Sequence, residues 1–506
     1  MLASLLLFAA APHGDALVRV QTPTASDAAT VHELGLDVWT EVPQGPWLDV
    51  RVKQGQWAQL DVTGLDYEVR VPDLGPQVEA ERLRLAGPVA HGGEPDPDAF
   101  FGDFADLAQI HARIDELAAL HPDIATVIET GESLEGRRLP ALRVTRAPEG
   151  SPTILLDAGQ HAREWIGISS ATCVADRLVR RADEPEVAPL LAAMQFVIFP
   201  VVNPDGYVHS WEVDRLWRKN RRPPDGVDLN RNFPVVFGGP GASDNPMAGN
   251  YHGEAAFSEP ESAAVRDLAE DLDPLLAVVD VHSYGQLVLY PWGFTLDPAP
   301  ADDALSTAAQ TLSQGLGAAY GTPYEPIPGA GLYPASGNLM DWAYGDLGAY
   351  SYVLEMRPAS DVEFPLGFVL PPEDIIPVCD ELYDGLLALS EQLADTDPPG
   401  AGDDGGAWES TSSSGGSTET GQTTIEPPQG TSSSGGIEGT GAGTTSGSTT
   451  AAPRGSEGSS TEAQGADSET SADSGCGCTS SAGGTYWALL GLLLFARRTP
   501  RRRAVA

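Results

Sequence analysis

The sequence predicts an α/β fold: a mixed, largely parallel central sheet flanked by helices on both faces, preceded by a small α+β unit. Between residues 99 and 394, short apolar segments rich in β-branched and aromatic residues alternate with segments of helical periodicity. Strands that are buried on both faces have continuous apolar runs of this kind. The segments are SPTILLDAG, MQFVIFPVV, LLAVVDVHS and AYSYVLEMR.

The N-terminal part has a different pattern. MLASLLLFAAAPHGDA is an apolar run followed by small residues, which predicts a signal peptide over residues 1–16 and therefore export. LVRVQT, WLDVRVKQ and DYEVRVPDL alternate apolar and polar residues, as half-buried strands do, and SDAATVHELGL has helical spacing. We expect a separate unit over residues 17–90, and we expect Arg82, Arg84 and the loop PVAHGGEPDPD at residues 88–98 to form an exposed, cleavable linker.

The following domain, 99–394, begins with an amphipathic helix. In FADLAQIHARIDELAALHP, one face carries Leu107, Ile110, Ile114 and Leu117. Helical stretches such as SSATCVADRLVRR and SEPESAAVRDLAEDL then separate the apolar strands.

The four cysteines are too few for a disulfide scaffold. Cys173 and Cys379 lie in or beside apolar helical stretches, and we predict that both are small buried apolar residues. Cys476 and Cys478 lie in a Gly/Ser tract that cannot bury them.

The C-terminal part predicts no packed core. Residues 395–475 consist mainly of Ser, Thr, Gly, Pro and acidic residues, which predicts a disordered spacer. The chain ends with a short apolar run and RRTPRRR, and that run is short against the roughly 20 apolar residues of a membrane span. The net charge of -43 argues against nucleic acid as a partner, because phosphate binding needs a basic surface.

Three metal-ligand candidates follow two of the apolar strands. In GQHAREW, His161 and Glu164 are three residues apart, directly after SPTILLDAG, and His282 ends LLAVVDVHS. Carboxyl ends of parallel strands meet at one edge of a sheet, and two histidines with one glutamate form an established zinc set. The alternative is that each histidine is an ordinary surface or capping residue, since His-x-x-Glu alone is a weak motif. We keep that interpretation for His13, His32, His91, His111 and His121.

Other polar residues in this domain are candidates for catalysis and binding. Glu355 ends an apolar stretch, where a carboxylate is rarely buried unless it is paired or functional. It could act as a general base or form an ion pair with Arg357. In DRLWRKNRR and DLNRNF, Arg218 and Arg231 could bind a carboxylate, or could be solvated surface charges.

Together these segments resemble the carboxypeptidase A/B branch of the M14 zinc metallocarboxypeptidases, over about residues 100–393. The resemblance lies in the order and spacing of ESLEGRRL, GQHAREW, NPDGY, WRKNR, DLNRNF, YHG, HSYGQLVLYPW, LYPASGNLMDW and YVLEMR. It implies an enzyme that holds one Zn²⁺ and hydrolyses residues from the C-termini of peptides and proteins.

The resemblance also implies catalytic roles. His161, Glu164 and His282 match the zinc ligands. Glu355 matches the general base that activates the zinc-bound water, and Arg218 matches the arginine that polarises the scissile carbonyl and stabilises the oxyanion.

Further matched residues face the substrate in the family. Asn230, Arg231 and Tyr333 match the clamp on the terminal carboxylate, and Arg163 matches an outer carboxylate-binding position. Asp228 matches the acid that orients the first zinc histidine.

The position that determines specificity in this family falls on Met340. An acidic residue there would favour terminal Lys or Arg, whereas Met340 with Leu289, Gly293 and Leu332 implies an apolar or aromatic terminal residue. The alternative is that Met340 only fills the core.

The two ends of the chain carry resemblances of their own. Residues 17–90 resemble the family's ferredoxin-like activation propeptide, which shields the cleft until an activating protease cuts near Arg82 or Arg84; the disulfide common in animal members has no counterpart here. Residues 476–506 resemble MYXO-CTERM sorting signals, with Cys476 or Cys478 as the site at which sorting machinery acts. This predicts a secreted protein anchored at the cell surface or outer membrane, the alternative being a secreted enzyme whose tail is trimmed.

Two other functions compete with the peptidase. One is a peptidoglycan stem-peptide endopeptidase of the same superfamily, against which Met340 and the Asn230–Arg231 pair argue. The other is an inactive surface peptide-binding module, which would be expected to lack Glu355 or a zinc ligand.

Overall fold

The computed structural model describes residues 15–39, 46–87, 98–359 and 367–400, which contain a four-stranded and an eight-stranded sheet. Most of the predicted signal peptide lies outside these residues, as do almost all of the predicted spacer and the whole predicted sorting tail with Cys476 and Cys478. In the part of the chain that is described, no helix combines the length and the apolarity that a membrane crossing requires.

The first sheet belongs to the N-terminal unit. Its strands are antiparallel, in the order β2-β3-β1-β4. The predicted strands and the predicted helix are present in this unit. Its elements are β1 (Ala16–Gln21), α1 (Ala25–Glu33), β2 (Asp37–Val38), β3 (Trp47–Val52), α2 (Trp57–Thr63), β4 (Tyr67–Val71) and α3 (Gly75–Leu85).

The alternation of β1 explains how this sheet is buried. Val18 and Val20 pack with Val31 of α1 and Leu60 of α2. Leu17 points to the other face, where it joins a cluster with residues of the following domain. The sheet therefore lies between α1 and α2 on one face and the following domain on the other.

The second sheet forms the centre of the larger domain, in the order β11-β10-β12-β9-β7-β8-β6-β5. Its middle strands β8, β7, β9 and β12 are parallel, and the outer pairs are antiparallel except for β10 with β11. The mixed sheet flanked by helices confirms the predicted fold class. The strands are β5 (Ala125–Glu132), β6 (Arg138–Thr145), β7 (Thr153–Ala158), β8 (Gln195–Phe199), β9 (Leu275–Gly285), β10 (Leu287–Tyr290), β11 (Glu325–Pro328) and β12 (Tyr350–Ala359).

The helices of this domain pack around the sheet. They are α4 (Leu107–Leu120), α5 (Trp165–Arg180), α6 (Ala188–Ala193), α7 (Pro204–Glu212), α8 (Pro260–Asp271), α9 (Asp302–Leu316), α10 (Gly329–Leu332), α11 (Leu339–Gly345) and α12 (Ile375–Leu393). Short 3₁₀ helices span Ala99–Gly102, Leu229–Arg231 and Pro372–Asp374. The predicted apolar face of α4 is buried at Ile110, Ile114 and Leu117.

The prediction for Cys173 and Cys379 was wrong in one respect. Both residues are fully buried, but they form a disulfide with a Cα–Cα distance of 5.9 Å. Cys173 lies in α5 and Cys379 in α12, which pack against each other, and a separation of 206 residues hides this proximity in the sequence.

The predicted linker begins later than expected. Arg82 and Arg84 lie in the last turn of α3, where Arg82 pairs with Glu79 and Arg84 pairs with Asp103. Residues 88–97, which make up most of the predicted loop of the linker, lie outside the described residues.

Candidate active site

His161, Glu164 and His282 converge at one edge of the large sheet. One potential ligand atom from each residue lies within 4.8 Å of the other two, and all three side chains are buried. His161 lies in the turn after β7, Glu164 immediately precedes α5, and His282 lies on β9. Because β7 and β9 are paired in parallel, their carboxyl ends bring the three residues together.

The donor atoms of these side chains face one another. The Nδ1 atoms of His161 and His282 are 2.9 Å apart. The Glu164 carboxylate contacts both rings, with Oε1 2.9 Å from Nδ1 of His161 and Oε2 3.0 Å from Nδ1 of His282. The backbone N–H of Ser283 donates to the same Oε2 at 3.1 Å and helps to hold the carboxylate in place.

The opposite ring nitrogens determine which tautomer is present. Nε2 of His161 is 3.0 Å from Oδ1 of Asp228, and Nε2 of His282 is 2.8 Å from Oδ2 of Asp280. An ionised carboxylate only accepts hydrogen bonds, so in the neutral rings each Nε2 donates and each Nδ1 keeps its lone pair. Two lone pairs and one carboxylate directed at a common point are a donor set that fits Zn²⁺.

The electrostatics of the cluster favour a cation. Burial raises the pKa of the Glu164 carboxyl, but His161 and His282 outweigh it and hold that pKa below its ordinary value. Burial lowers the pKa of the His282 imidazole, but Asp280 and Glu164 outweigh it and raise that pKa well above its ordinary value. Surroundings that attract a proton to a buried ring also attract a divalent metal ion.

Glu355 lies beside this cluster on the neighbouring strand. In the parallel pairing of β12 with β9, Glu355 is directly opposite His282. Glu355 is buried and lines the same cavity as His161 and His282. The alternative partner Arg357 binds Glu381 instead, with Nε 2.9 Å from Oε2.

Arg218 lines the same cavity from the loop that follows α7. Its Nη2 donates to Oδ2 of Asp228 at 3.0 Å, and its Nη1 is 3.8 Å from Oε1 of Glu164. Burial raises the pKa of Asp228, but Arg218 and His161 outweigh it and hold that pKa well below its ordinary value. Asp228 is therefore a carboxylate that links Arg218 to the first histidine.

Asn230, Arg231 and Tyr333 also line this cavity. Nη2 of Arg231 donates to the hydroxyl of Tyr333 at 3.4 Å, and its Nε donates to the carbonyl of Gly241 at 3.1 Å. The side-chain oxygen of Asn230 accepts from the backbone N–H of Leu339 at 2.9 Å, which fixes the orientation of the amide.

Met340 lies in an apolar recess of the cavity. It is buried against Leu287, Leu289, Leu332 and Val353. The backbone of Gly329 packs closely against the recess, since a Cβ there would lie 2.7 Å from Cε of Met340 and 3.0 Å from Cα of Gly293. Residues 289, 293 and 332, which were predicted to accompany Met340, all line the cavity.

An acidic residue follows Met340 behind this recess. Burial raises the pKa of Asp341 to about 7, although Gly293 N–H and the Asn338 amide donate to its carboxylate at 2.8 Å and 2.9 Å. These bonds attach Gly293, a residue of the recess, to α11.

Arg163 is a predicted site residue that forms an ion pair with the N-terminal unit. Its Nη1 donates to Oδ1 of Asp37 at 2.6 Å, and its guanidinium lies 4.2 Å from the centre of the Phe368 ring. The side chain is buried in this contact. A carboxylate from the N-terminal unit therefore occupies the predicted outer carboxylate-binding position.

The N-terminal unit covers the cleft without filling it. A cavity of about 870 Å³ lies between the two parts, lined by His32, Asp37 and Trp47 on one side. Arg218 and Arg231 line the other side. His32, which the sequence analysis assigned no role, faces this cavity, and its ring centre is 6.3 Å from that of Tyr333.

Sequence reasoning missed two carboxylates at the site, Asp280 and Asp37. Asp280 did carry a signal, because residues two apart on a strand share a face and Asp280 precedes His282 by two. Asp37 carried none, since its partner Arg163 is 126 residues away.

Comparisons with known proteins agree with this geometry. The family model described as zinc carboxypeptidase matches residues 110–385. Carboxypeptidase A4 of Mus musculus is 35% identical over 344 residues, covering 66% of this chain and 80% of that protein. Carboxypeptidase B of Bos taurus is 33% identical over 394 residues, covering 73% and 90%.

A solved structure extends the likeness to three dimensions. The crystal structure of carboxypeptidase A from Helicoverpa armigera matches with a TM-score of 0.68 and 28% identity, covering 76% of this chain and 98% of that chain. The chain belongs to the zinc carboxypeptidase family, whose members hold one Zn²⁺ and act on the C-termini of peptides.

Proposed function

We propose that this protein removes apolar or aromatic C-terminal residues from peptides, with His161, Glu164 and His282 holding the zinc ion and Glu355 acting as the general base. The observation that carries the proposal is the buried His–Glu–His cluster with Glu355 directly opposite His282 on the adjoining strand. When bound, zinc supplies Lewis acidity that lowers the pKa of water and polarises a carbonyl.

Glu355 and Arg218 have complementary tasks at the scissile bond. Glu355 takes a proton from the attacking water and passes it to the departing amine, since a base that has gained a proton serves as the acid of the next step. Arg218 places a fixed positive charge at the cavity, where the carbonyl oxygen develops negative charge. Asp228 holds Arg218 and the proposed zinc ligand His161 in place, because it binds both.

Asn230, Arg231 and Tyr333 define which end of a peptide can bind. An arginine fork and a phenol donate to a terminal carboxylate, which an internal peptide segment lacks. The Arg231–Tyr333 contact at 3.4 Å supports their joint action. Arg163 supplies a further carboxylate-binding group, which is engaged by Asp37 while the N-terminal unit is in place.

The recess around Met340 determines the side chain that is accepted. Its walls are aliphatic, and a terminal Lys or Arg would lose its hydration there without gaining a partner. Leu, Met or Phe would bury apolar surface instead.

Residues 17–90 act in this proposal as an activation propeptide, released after a cut near Arg82 or Arg84. The Asp37–Arg163 contact and the covered cleft support it. The disulfide between Cys173 and Cys379 supports export, since such bonds persist in oxidising compartments. We extend the proposal to a secreted enzyme held at the cell surface through Cys476 or Cys478.

The test combines metal analysis with hydrolysis of blocked dipeptides after release of the propeptide. We expect one zinc per chain and release of C-terminal Phe and Leu. Glu355→Gln should keep zinc and lose about 10³-fold or more in kcat, in line with the loss of a positioned base. Glu261→Gln is the matched control, because Glu261 is also a buried glutamate but does not line the cavity.

Two outcomes would contradict the proposal. One is a chain that binds no zinc, and the other is a Glu355→Gln variant with unchanged turnover. Purified peptidoglycan serves as a second substrate, and release of fragments from it without hydrolysis of the dipeptides would favour the endopeptidase function.

A further inference from the structure

Asp280 is a fully buried carboxylate beside the proposed zinc ligand His282. It lies on β9 among the apolar residues Val278, Val279 and Val281. A buried charge is costly unless hydrogen bonds compensate for its lost hydration. An aspartate at position 280 therefore calls for an explanation, because a valine there would pack without this cost.

The donors to Asp280 provide that reason. Its Oδ2 accepts from Nε2 of His282 at 2.8 Å, from the amide of Gln160 at 2.8 Å and from the amide of Asn230 at 3.4 Å. His282 is a proposed zinc ligand, Gln160 precedes the ligand His161, and Asn230 is a proposed substrate clamp. Oδ2 of Asp280 thus accepts hydrogen bonds from residues of both the metal site and the substrate site.

The amide of Asn230 has only one consistent orientation. Its oxygen accepts from Leu339 N–H, so its NH₂ group points toward Asp280 and His282. Nε2 of His282 donates to Asp280, so it does not accept from this NH₂ at 3.2 Å. Asp280 is the acceptor that both donors share.

We infer that Asp280 is a positioning residue that fixes the tautomer and ring orientation of His282 and holds the amide of Asn230, so that metal ligand and substrate clamp keep one geometry. The inference rests on the proposed function, in which His282 binds zinc. A carboxylate on the far nitrogen makes the imidazole a better metal ligand, and loss of such partners weakens metal binding by about 10- to 100-fold.

The test measures zinc affinity by chelator competition on the full chain, so the main readout does not depend on turnover. Asp280→Asn should bind zinc about 10- to 100-fold more weakly. Asp205→Asn is the matched control, because Asp205 is equally buried and accepts from Ser133 and the Glu135 N–H, away from the zinc cluster. We expect its zinc affinity to stay within about twofold, since no metal ligand contacts it.

A double-mutant cycle with His282→Ala separates positioning from general damage. If Asp280 acts through His282, Asp280→Asn should add nothing to the weakening caused by His282→Ala. Through Asn230, Asp280→Asn should also raise KM for blocked dipeptides. Asp280→Ser is the second variant in case Asp280→Asn does not fold, and its hydroxyl retains one acceptor for Nε2–H. We expect the zinc affinity of Asp280→Ser to lie between that of the wild type and that of the variant in the cycle that binds zinc most weakly.

Two results would overturn the inference while leaving the proposed function intact. One is an unchanged zinc affinity in both Asp280 variants, and the other is an equal loss with and without His282. If instead the wild type bound no zinc, or His282→Ala bound it as tightly as the wild type, the metal site itself would be wrong and the inference would fall with it.

Discussion

The zinc-ligand cluster and the contact surface of the N-terminal unit are built on different physical principles. In the cluster, strand pairing places the groups, since His282 and Glu355 are opposite each other on β9 and β12. On the contact surface, charged side chains from separate elements meet beside the apolar cluster that contains Leu17. Three of these pairs are Asp37–Arg163 at 2.6 Å, Glu81–Arg215 at 2.5 Å and Arg51–Asp214 at 2.9 Å.

The difference suits what each region has to do. Backbone register cannot change without unpairing strands, so the cluster keeps its geometry. Ion pairs can separate when water replaces each partner, and burial offsets much of their attraction. Arg215 illustrates this, because burial lowers its pKa in spite of the neighbouring Glu81. An N-terminal unit that is held by such ion pairs can bind specifically and still be released.

Removing the disulfide tests whether the geometry of the zinc-ligand cluster depends on strand pairing alone. Cys173 lies in α5, which begins just after Glu164, and the bond joins it to α12. Replacing both cysteines by alanine should lower the free energy of unfolding by about 2–5 kcal/mol, because the closed loop spans 206 residues. Denaturant unfolding measures this loss, and kcat should stay within about twofold because strand register is kept. A large fall in kcat at unchanged stability would show that the bond positions the site.

Breaking the buried Glu81–Arg215 ion pair tests how the N-terminal unit is held. Glu81→Ala leaves the buried guanidinium of Arg215 without its carboxylate and should weaken docking by about 3 kcal/mol, or roughly 100-fold. Gel filtration after cleavage should then show free N-terminal unit at concentrations where the wild type retains it. Glu79→Ala is the control, because its partner Arg82 is exposed and its removal should leave docking unchanged. Equal effects of both variants would mean that docking does not depend on the buried pair.

The two regions also differ in how far the sequence predicts them. His161, Glu164 and His282 could be singled out because two of them follow one apolar strand and the third lies near the end of another, and parallel strands end at one edge. The central sheet was predictable for the same reason, from its continuous apolar runs. Asp37, Glu81 and Cys379 could not be assigned partners, since these lie 126, 134 and 206 residues away with no local periodicity to indicate them. Long-range side-chain pairs depend on how elements pack, and no single segment encodes that.

A smaller effect is expected from the specificity recess, which belongs to the rigid region. Met340→Asp should lower kcat/KM for C-terminal Phe by about 10- to 100-fold and raise it for Arg, because a buried carboxylate prefers a cation. Met340→Leu should keep the apolar preference, since it conserves volume and chemistry. Hydrolysis of a blocked dipeptide panel measures the ratio, and a Phe preference that survives Met340→Asp would remove this residue from specificity.

The smallest effect should be a pH dependence of docking. His32 faces Arg231 and Tyr333 across the cleft, and burial together with the charge of Arg231 lowers its pKa to about 4. After release its pKa returns to about 6.5. The neutral ring is therefore favoured in the docked state, so docking is strongest above pH 6.5 and weakens as pH falls toward 4.

The Asp37–Arg163 ion pair of the N-terminal unit does not titrate in the range between pH 4 and pH 6.5. Burial raises the pKa of Asp37, but Arg163 and Arg51 outweigh it and hold that pKa below its ordinary value. Between pH 7 and pH 5 we expect the binding of the cleaved N-terminal unit to weaken by about 20-fold, and His32→Gln to flatten that dependence. His111→Gln is the control, because burial also lowers the pKa of His111 to about 4, but His111 lies on α4, outside the cavity between the two parts. If His32→Gln kept the full pH dependence, His32 would not be its source. The weaker docking of the N-terminal unit at low pH would then have to come from protonation of the carboxylates in its ion pairs.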